Sequence, residues 1–454
     1  MTLSKMTQIG AAVAALLGAS SAFALDQATT NASTTTKLVA AGSSAARDAF
    51  LVIMANEICV PNTLDVYRAN PTTNQDFRAY SCTLKPSSGA GGVPELGNAG
   101  GKNVTLFYRS EGGSAWGAVS IATNTQVMAL DTTDATCAAS SSASFTVGST
   151  TITAPTHNCS VTGYNIASDT RTSGALTLKT VDLGVGDEEP KMFTGANFPS
   201  SSRFAGVNTP ASQNLIRSLN KSSGFGQVFG ILLNTTGPNT SLISSLTKQD
   251  IASIFTGNYV DWSQIPGLSL PGGPITVVRR EPGSGTQVAA GAYFAGVNCG
   301  SAYTFVTDSD APGAPDTDGV IEVATTSSME STVGATPDAI GLNVYKNPAP
   351  ANTKYVQING AAPDRTLVAR PYDFAYELSL SKRTTLADAS PVFPSSFANA
   401  LIAIAKKGTL VPDVVSVFAI PSSASTNVPG STQAGRPVAF GTRNGNSCLP
   451  FQGL

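Results

Sequence analysis

Three β-branched segments of this chain each run directly into a small polar turn and then into an amphipathic stretch. The segments cover residues 37–40, 104–108 and 275–278. Strands that feed helices in this way are typical of βα units, whose strands pair in parallel. The repeated junction therefore predicts an α/β protein built on largely parallel sheets.

The turns that follow these strands share glycine and hydroxyl residues. They cover residues 41–44, 111–114 and 283–286, and each one stands at the start of a predicted helix. In open α/β sheets such turns lie at the carboxyl ends of the strands, where ligands bind. The sequence predicts one ligand site built from these turns. The alternative is that serine and glycine only cap helices.

The third junction, Val-Val-Arg-Arg-Glu-Pro-Gly-Ser-Gly-Thr at residues 277–286, has the composition of an oxyanion site. The first N–H groups of a helix lack intrahelical partners and lie at the positive end of its dipole, so they can hold an anion. Ser284 and Thr286 add hydroxyl donors, and Arg280 adds a charged fork. A plain helix cap remains the alternative for the turn alone.

An acidic turn at residues 187–189 follows a short predicted strand at residues 181–186. A carboxylate can only accept hydrogen bonds, so beside an oxyanion it favours a ligand that carries a proton. Phosphate near neutral pH carries one and sulfate does not, so Asp187 predicts selectivity for phosphate. The alternative is that Asp187 caps a helix while Glu188 and Glu189 are solvated.

The N-terminus predicts export. Lys5 precedes an apolar run at residues 9–17, and small residues at 22–24 offer a cleavage site, so residues 1–24 are expected to be a signal peptide. No cysteine follows the cut until Cys59, so no lipid anchor is expected there. No later apolar stretch is long enough for a membrane span. We expect a periplasmic or secreted protein.

Charge and cysteine content agree with export. Charged residues make up 12% of the chain and the net charge is −2, which argues against a nucleic-acid or membrane-surface partner. Six cysteines fit disulfides in an oxidising compartment. Spacing favours two local pairs and a remaining one, although other connectivities stay open. The predicted pairs are Cys59 with Cys82, Cys137 with Cys159, and Cys299 with Cys448.

The mature chain is too long for one comfortable core, so two lobes are expected. Lobe 1 is predicted to combine residues 25–203 and 345–454, and lobe 2 to cover residues 204–344. Two segments rich in small polar residues, near 61–101 and 122–177, are interpreted as disulfide-containing insertions in lobe 1.

With these elements in order, the chain resembles the phosphate-binding proteins of ABC transporters, which have the type II periplasmic-binding-protein fold. The resemblance rests on residues 41–44, 108–114, 182–187 and 277–286, and is supported by residues 246–257, Trp262 and residues 336–341. It implies a two-lobed α/β fold with a ligand cleft between the lobes. It also implies an exported solute-binding protein that captures inorganic phosphate for an ABC permease.

The resemblance implies binding rather than catalysis, with no cofactor and no metal, and we expect a monomer. It assigns the phosphate contacts to Ser44, Gly113, Ser114, Asp187, Arg280, Ser284, Gly285 and Thr286. The family has an acidic partner two positions after the arginine, where this chain has Pro282. Glu281 or another carboxylate is therefore the candidate restraint on Arg280.

Two other functions stay open. A secreted phosphatase would need a metal cluster or an activated nucleophile, and the one histidine, His157, is interpreted as a loop residue. Asp131 and Asp134 have no partner histidines. A cell-surface or interaction protein on the same scaffold is the other alternative. Arg109, close to the second turn, is expected to face solvent.

Overall fold

The structure is a computed structural model. It describes residues 24–70, 76–147, 150–296, 305–310, 318–364 and 372–407, followed by 417–418, 432–433, 436–437, 441–443, 445–450 and 452–453. The predicted signal peptide, except Ala24, and Cys299 lie outside these residues.

Helices and strands are interspersed along the described chain. The helices are α1 (Gln27–Asn31), α2 (Arg47–Val52, continued by a π-helical segment Ile53–Ile58), α3 (Ser114–Thr123), α4 (Pro210–Arg217), α5 (Lys248–Phe255), α6 (Gly285–Phe294), α7 (Thr326–Ala335) and α8 (Pro394–Lys407). The strands of the first half are β1 (Thr36–Gly42), β2 (Asp65–Asn70), β3 (Phe77–Thr83), β4 (Asn103–Arg109), β5 (Val127–Leu130), β6 (Ser140–Val147), β7 (Thr150–Thr162), β8 (Ser173–Gly174), β9 (Leu176–Lys179) and β10 (Leu183–Gly186). Those of the second half are β11 (Ser222–Asn234), β12 (Ser245–Leu246), β13 (Thr276–Arg280), β14 (Val320–Val323), β15 (Ala339–Val344), β16 (Thr353–Ile358), β17 (Ala375–Lys382), β18 (Val417–Phe418), β19 (Thr432–Gln433), β20 (Arg436–Pro437), β21 (Gly441–Thr442) and β22 (Gln452–Gly453).

One large sheet follows the order β14-β13-β15-β11-β17-β10-β1-β4-β3-β2-β7-β6. It contains two parallel sets, β4-β1-β10 and β14-β13-β15. The antiparallel strands β11 and β17 join these sets. The predicted α/β class is confirmed, and the sheet is mixed because β2, β3 and β6 also pair in antiparallel fashion.

Two large apolar clusters pack on this sheet. The first joins β1 and β4 to α2 and α8, and the second joins β11 and β15 to α5 and α6. Strand β16 pairs with β11 and buries Val356 and Ile358 in the second cluster. Residues 353–358 thus pack with the central segment, although lobe 1 was predicted to include them. The lobe limits are otherwise still a prediction.

The segments interpreted as insertions extend the sheet. The first contains β2 and β3, and the second contains β6 and β7. Both local disulfides are the pairs that spacing favours, Cys59 with Cys82 and Cys137 with Cys159. Cys448 is also disulfide-bonded.

The helices at the three junctions start close to the predicted positions. The helix predicted from Ser44 begins three residues later, at Arg47, while the second begins at Ser114 and the third at Gly285. None of the helices in the described ranges has the length and apolarity that a bilayer crossing requires.

Candidate functional site

The three turns and the acidic loop meet where the carboxyl ends of the two parallel strand sets face each other. The backbone N–H of Ala115 donates to the carbonyl of Gly283 at 2.9 Å. A Cβ atom on Gly113 would lie 3.0 Å from Ser284 Cα. The second and third turns are therefore in direct contact, as a shared site requires.

Asp187 lies at the centre of this contact. Its carboxylate accepts hydrogen bonds from the hydroxyls of Ser43 and Ser114, the latter at 3.3 Å, and its own N–H donates to Ser114 Oγ at 3.1 Å. Burial raises the pKa of Asp187 to about 6, although these hydroxyls and Arg280 oppose the shift. The carboxyl is thus fixed in a dry position and can hold a proton near neutral pH.

The first turn reaches Asp187 through a backbone conformation that only glycine adopts easily. Gly42 has φ +139°, and a Cβ atom there would lie 1.8 Å from the Val185 carbonyl oxygen. This close approach brings Ser43 onto Asp187 and directs Ser44 toward the other parallel set.

Ser44 contacts Thr326, the first residue of α7. The two hydroxyl oxygens are 2.9 Å apart, and the Thr326 N–H donates to Ser44 Oγ at 3.4 Å. Sequence reasoning missed both Ser43 and Thr326. The signal for Thr326 was available, because β14 followed by Ala-Thr-Thr is a fourth strand-to-helix junction.

Arg280 is buried, with 1% of its surface exposed. Its guanidinium donates to the carbonyls of Ala324 at 2.6 Å and Val323 at 3.3 Å. Among the described residues no carboxylate lies within ion-pair distance of it, so the prediction that Glu281 or another carboxylate restrains Arg280 is wrong. Backbone carbonyls at the end of β14 take that role.

Burial also governs the titration of the groups around Arg280. It lowers the pKa of Arg280, with Glu281 and Asp187 opposing, and the arginine still keeps its charge. It raises the pKa of Glu281 to about 8 and that of Glu111 well above its usual value. These carboxyls favour the protonated form, so they compensate the arginine only weakly.

The start of α6 completes the site. Ser284 caps the helix by accepting from the Gln287 N–H at 3.4 Å, and Thr286 is buried. A Cβ atom on Gly285 would lie 2.3 Å from Ser114 Oγ and 2.6 Å from an oxygen of Asp187 and of Glu188. Only glycine fits here, because the two walls pack directly against each other.

The acidic loop differs from the alternative considered for it, and the second junction differs from the expected exposure of Arg109. Glu188 is fully buried, and Glu189 is buried and paired with Lys221 and, at 3.1 Å, with Lys191, so neither is solvated. Arg109 is also fully buried and does not face solvent, because it forms an ion pair with Asp169 at 2.6 Å.

His157 is a strand residue and not the predicted loop residue. It lies in β7, is buried, and stacks on Tyr67 with 4.1 Å between ring centroids. Its Nδ1 is 2.7 Å from the carbonyl oxygen of Cys137, so packing and hydrogen bonding account for its position. In the described part of the chain, the group of carboxylates close enough to share a metal is Asp308, Asp310 and Asp318, and it does not include His157.

Comparisons with known proteins agree with this architecture. Residues 201–381 match the family model of the PBP superfamily domain. No curated protein matches the chain.

Solved structures that are similar to this chain include the following three proteins. A putative phosphate ABC transporter substrate-binding protein with bound phosphate from Clostridium perfringens is 12% identical, with 85% of this chain and 100% of that chain covered and a TM-score of 0.45. An ABC-type phosphate transport receptor from Vibrio cholerae is 17% identical, with 46% and 70% covered and a TM-score of 0.30. PstS from Borrelia burgdorferi is 13% identical, with 53% and 80% covered and a TM-score of 0.32. The family match supports the predicted resemblance, at the level of the PBP superfamily, over residues 201–381.

Proposed function

We propose that this protein is an exported solute-binding protein that captures inorganic phosphate between the Asp187 loop and the start of α6. The observation that carries the proposal is a buried arginine, Arg280, held by backbone carbonyls rather than by a carboxylate, beside a buried aspartate with a raised pKa. An anion with a proton satisfies both groups, because it pairs with the arginine and donates to the carboxylate.

The donors for the anion come from both walls of the cleft. Arg280 offers its fork, the first turn of α6 offers N–H groups, and the serine and threonine hydroxyls offer further donors. Asp187 accepts the proton of the phosphate. We assign the contacts to Ser44, Gly113, Ser114, Asp187, Arg280, Ser284, Gly285 and Thr286. In a water-excluded cleft these hydrogen bonds are stronger than in solvent.

Capture requires movement, because the second and third turns touch directly. The contact between Ala115 and Gly283 is a single backbone hydrogen bond between the two walls. We infer that the lobes separate by a hinge motion, admit the anion and close over it. In this role the protein is a monomer that delivers phosphate to an ABC permease outside the cytoplasm.

Binding is preferred to the phosphatase alternative. The superfamily match is to a binding-protein domain. His157, the histidine that a metal-dependent hydrolase could use, is stacked on Tyr67 and bonded to a backbone carbonyl. A surface or interaction role on the same scaffold would leave the anion site unused, and the measurement below separates the two.

Isothermal titration of the mature protein, residues 25–454, with phosphate and with sulfate tests the proposal. We expect phosphate to bind, and sulfate to bind roughly a hundredfold more weakly because it brings no proton for Asp187. Circular dichroism shows whether the sample is folded. A folded protein that gives no heat with phosphate, or that binds both anions equally, contradicts the proposed function.

A further inference from the structure

In the described part of the chain, Glu188 is a buried carboxyl group without a hydrogen-bond partner. None of its surface is exposed, and neither Oε1 nor Oε2 accepts a hydrogen bond from a residue that the structure describes. Its neighbour Glu189 is also buried but pairs with Lys191 and Lys221. Burying a polar group without a partner destabilises the protein, and a ligand that donates a hydrogen bond to Glu188 removes this penalty.

The position of Glu188 places it at the proposed anion site. Its Oε2 lies as close to the point where a Gly285 Cβ would stand as an oxygen of Asp187 does, 2.6 Å in each instance. Both carboxyls therefore face the first residue of α6. Glu188, Ser379 and Ser381 line a small cavity, and the buried hydroxyls of the two serines lack hydrogen-bond partners among the described residues.

The charged groups around Glu188 leave it weakly compensated. Asp187 stands beside it and Arg443 is the cation that acts on it, while Arg280 acts on Asp187. The Arg443 guanidinium donates to the carbonyls of Ala375, at 2.8 Å, and Leu449. Burial first, and then Asp187, raise the pKa of Glu188 well above its usual value.

We propose that Glu188 is a second carboxyl ligand of the anion, so that the bound complex holds two shared protons, one between phosphate and Asp187 and one between phosphate and Glu188. This inference rests on the proposed function of the same site. Two adjacent carboxylates that both face an oxyanion would repel it, and one proton at each contact converts repulsion into a hydrogen bond. The protons belong to the group as a whole rather than to one residue.

The shared protons predict a proton uptake on binding. Below neutral pH, dihydrogen phosphate and the protonated carboxyl group of Glu188 supply the two shared protons of the complex. Once free Glu188 and free phosphate have both ionised, the anion brings only the proton for Asp187, and binding must take up another. The affinity is then expected to fall about tenfold for each further pH unit.

Phosphate titration calorimetry from about pH 6 to about pH 9.5, in two buffers of different ionisation enthalpy, tests the inference. The wild-type protein is expected to take up about one proton at the alkaline end. Glu188→Gln should keep its affinity there, because a neutral amide donates to phosphate without an added proton. Glu189→Gln is the matched control, and its phosphate affinity should fall at alkaline pH as that of the wild-type protein does.

The outcomes separate this inference from the proposed function. Wild-type protein that binds phosphate at no pH contradicts the proposed function itself. Wild-type binding without proton uptake overturns the role of Glu188, and this measurement does not depend on any variant folding. The role of Glu188 is also overturned if folded Glu188→Gln protein loses phosphate affinity at alkaline pH as the wild-type protein does. The same holds if the folded variant binds phosphate at no pH.

Discussion

Arg109 and Arg280 occupy the same position in two different regions of the molecule. Each is the last residue of a parallel strand, β4 or β13, and each precedes a glycine turn that starts a helix. They are 0% and 1% exposed. Arg109 is paired with Asp169 and Tyr164 and lies 3.9 Å from the centroid of the Trp116 ring, whereas Arg280 donates to two backbone carbonyls.

The two regions differ in which groups compensate the positive charge of the buried arginine. Burial disfavours the charged form of both arginines, but Tyr164 and Asp169 together raise the pKa of Arg109, while that of Arg280 stays lowered. Arg109 is neutralised within the protein and holds the second junction in place. Arg280 keeps a charge that an external anion can neutralise. The strand-end position alone does not distinguish the structural Arg109 from Arg280, which we propose binds the anion.

Removing the partner of Arg109 should give the largest effect. Asp169→Asn leaves a buried guanidinium unpaired, and we expect the free energy of unfolding to fall by about 3 to 5 kcal/mol. Urea unfolding measures it. Asp131→Asn is the control, because that carboxylate bonds only to Thr133 of its own turn in the described structure and should cost about 1 kcal/mol or less. Equal losses in the two variants would remove the structural role of the Arg109 pair.

Changing the other arginine should affect binding instead of stability. Arg280→Gln is expected to weaken phosphate binding by about 3 kcal/mol, roughly a hundredfold, because the charged fork is lost. Its unfolding free energy should change less than that of Asp169→Asn, since no ion pair is broken. Calorimetry and urea unfolding of the same samples check both parts. A strongly destabilised variant with wild-type affinity would break the contrast between the two regions.

The sequence predicts the local parts of this arrangement well. The start of α3 at Ser114 and the strands that precede the junctions follow from turn chemistry and β-branched runs, which act over a few residues. The partner of Arg109 lies 60 residues away, in a segment interpreted as an insertion. No local pattern connects them, so the expected solvent exposure of Arg109 was wrong.

Within the candidate site, too, local sequence patterns do not determine which side chains are in contact. Whether Ser43 or Ser44 reaches Asp187 depends on the backbone of Gly42, and both hydroxyls fit the sequence pattern equally well. The sequence pattern allows Glu188 to be a solvated acid like Glu189, whereas in the structure Glu188 packs against Gly285 of the other wall and is buried. Contacts across the cleft are set by tertiary packing, which local sequence patterns do not contain.

Asp187→Asn tests which property of the Arg280 region selects the anion. The amide can donate to an unprotonated oxygen, so we expect the preference for phosphate over sulfate to shrink by about tenfold. Paired titrations of wild type and variant with both anions give the ratio. An unchanged phosphate-to-sulfate ratio would mean that Asp187 does not recognise the proton of the phosphate. Selectivity would then have to come from other groups at the site.

Glu281→Gln gives the smallest expected effect. It tests whether the Glu281 carboxylate forms an ion pair with Arg280. Burial raises the pKa of Glu281 from 4.5 to about 8, so its contribution to stability is full below about pH 4.5 and is lost as the pH rises through about 8. The variant lacks this loss, so its unfolding free energy should decline less than that of the wild-type protein between about pH 5 and pH 8. Glu95→Gln is the control, because a hydrogen bond from Lys407 lowers the pKa of Glu95 and its contribution is lost only as the pH falls. If Arg280 paired with Glu281 as Arg109 pairs with Asp169, the Glu281 carboxylate would be stabilised, and Glu281→Gln would instead lose stability at neutral pH.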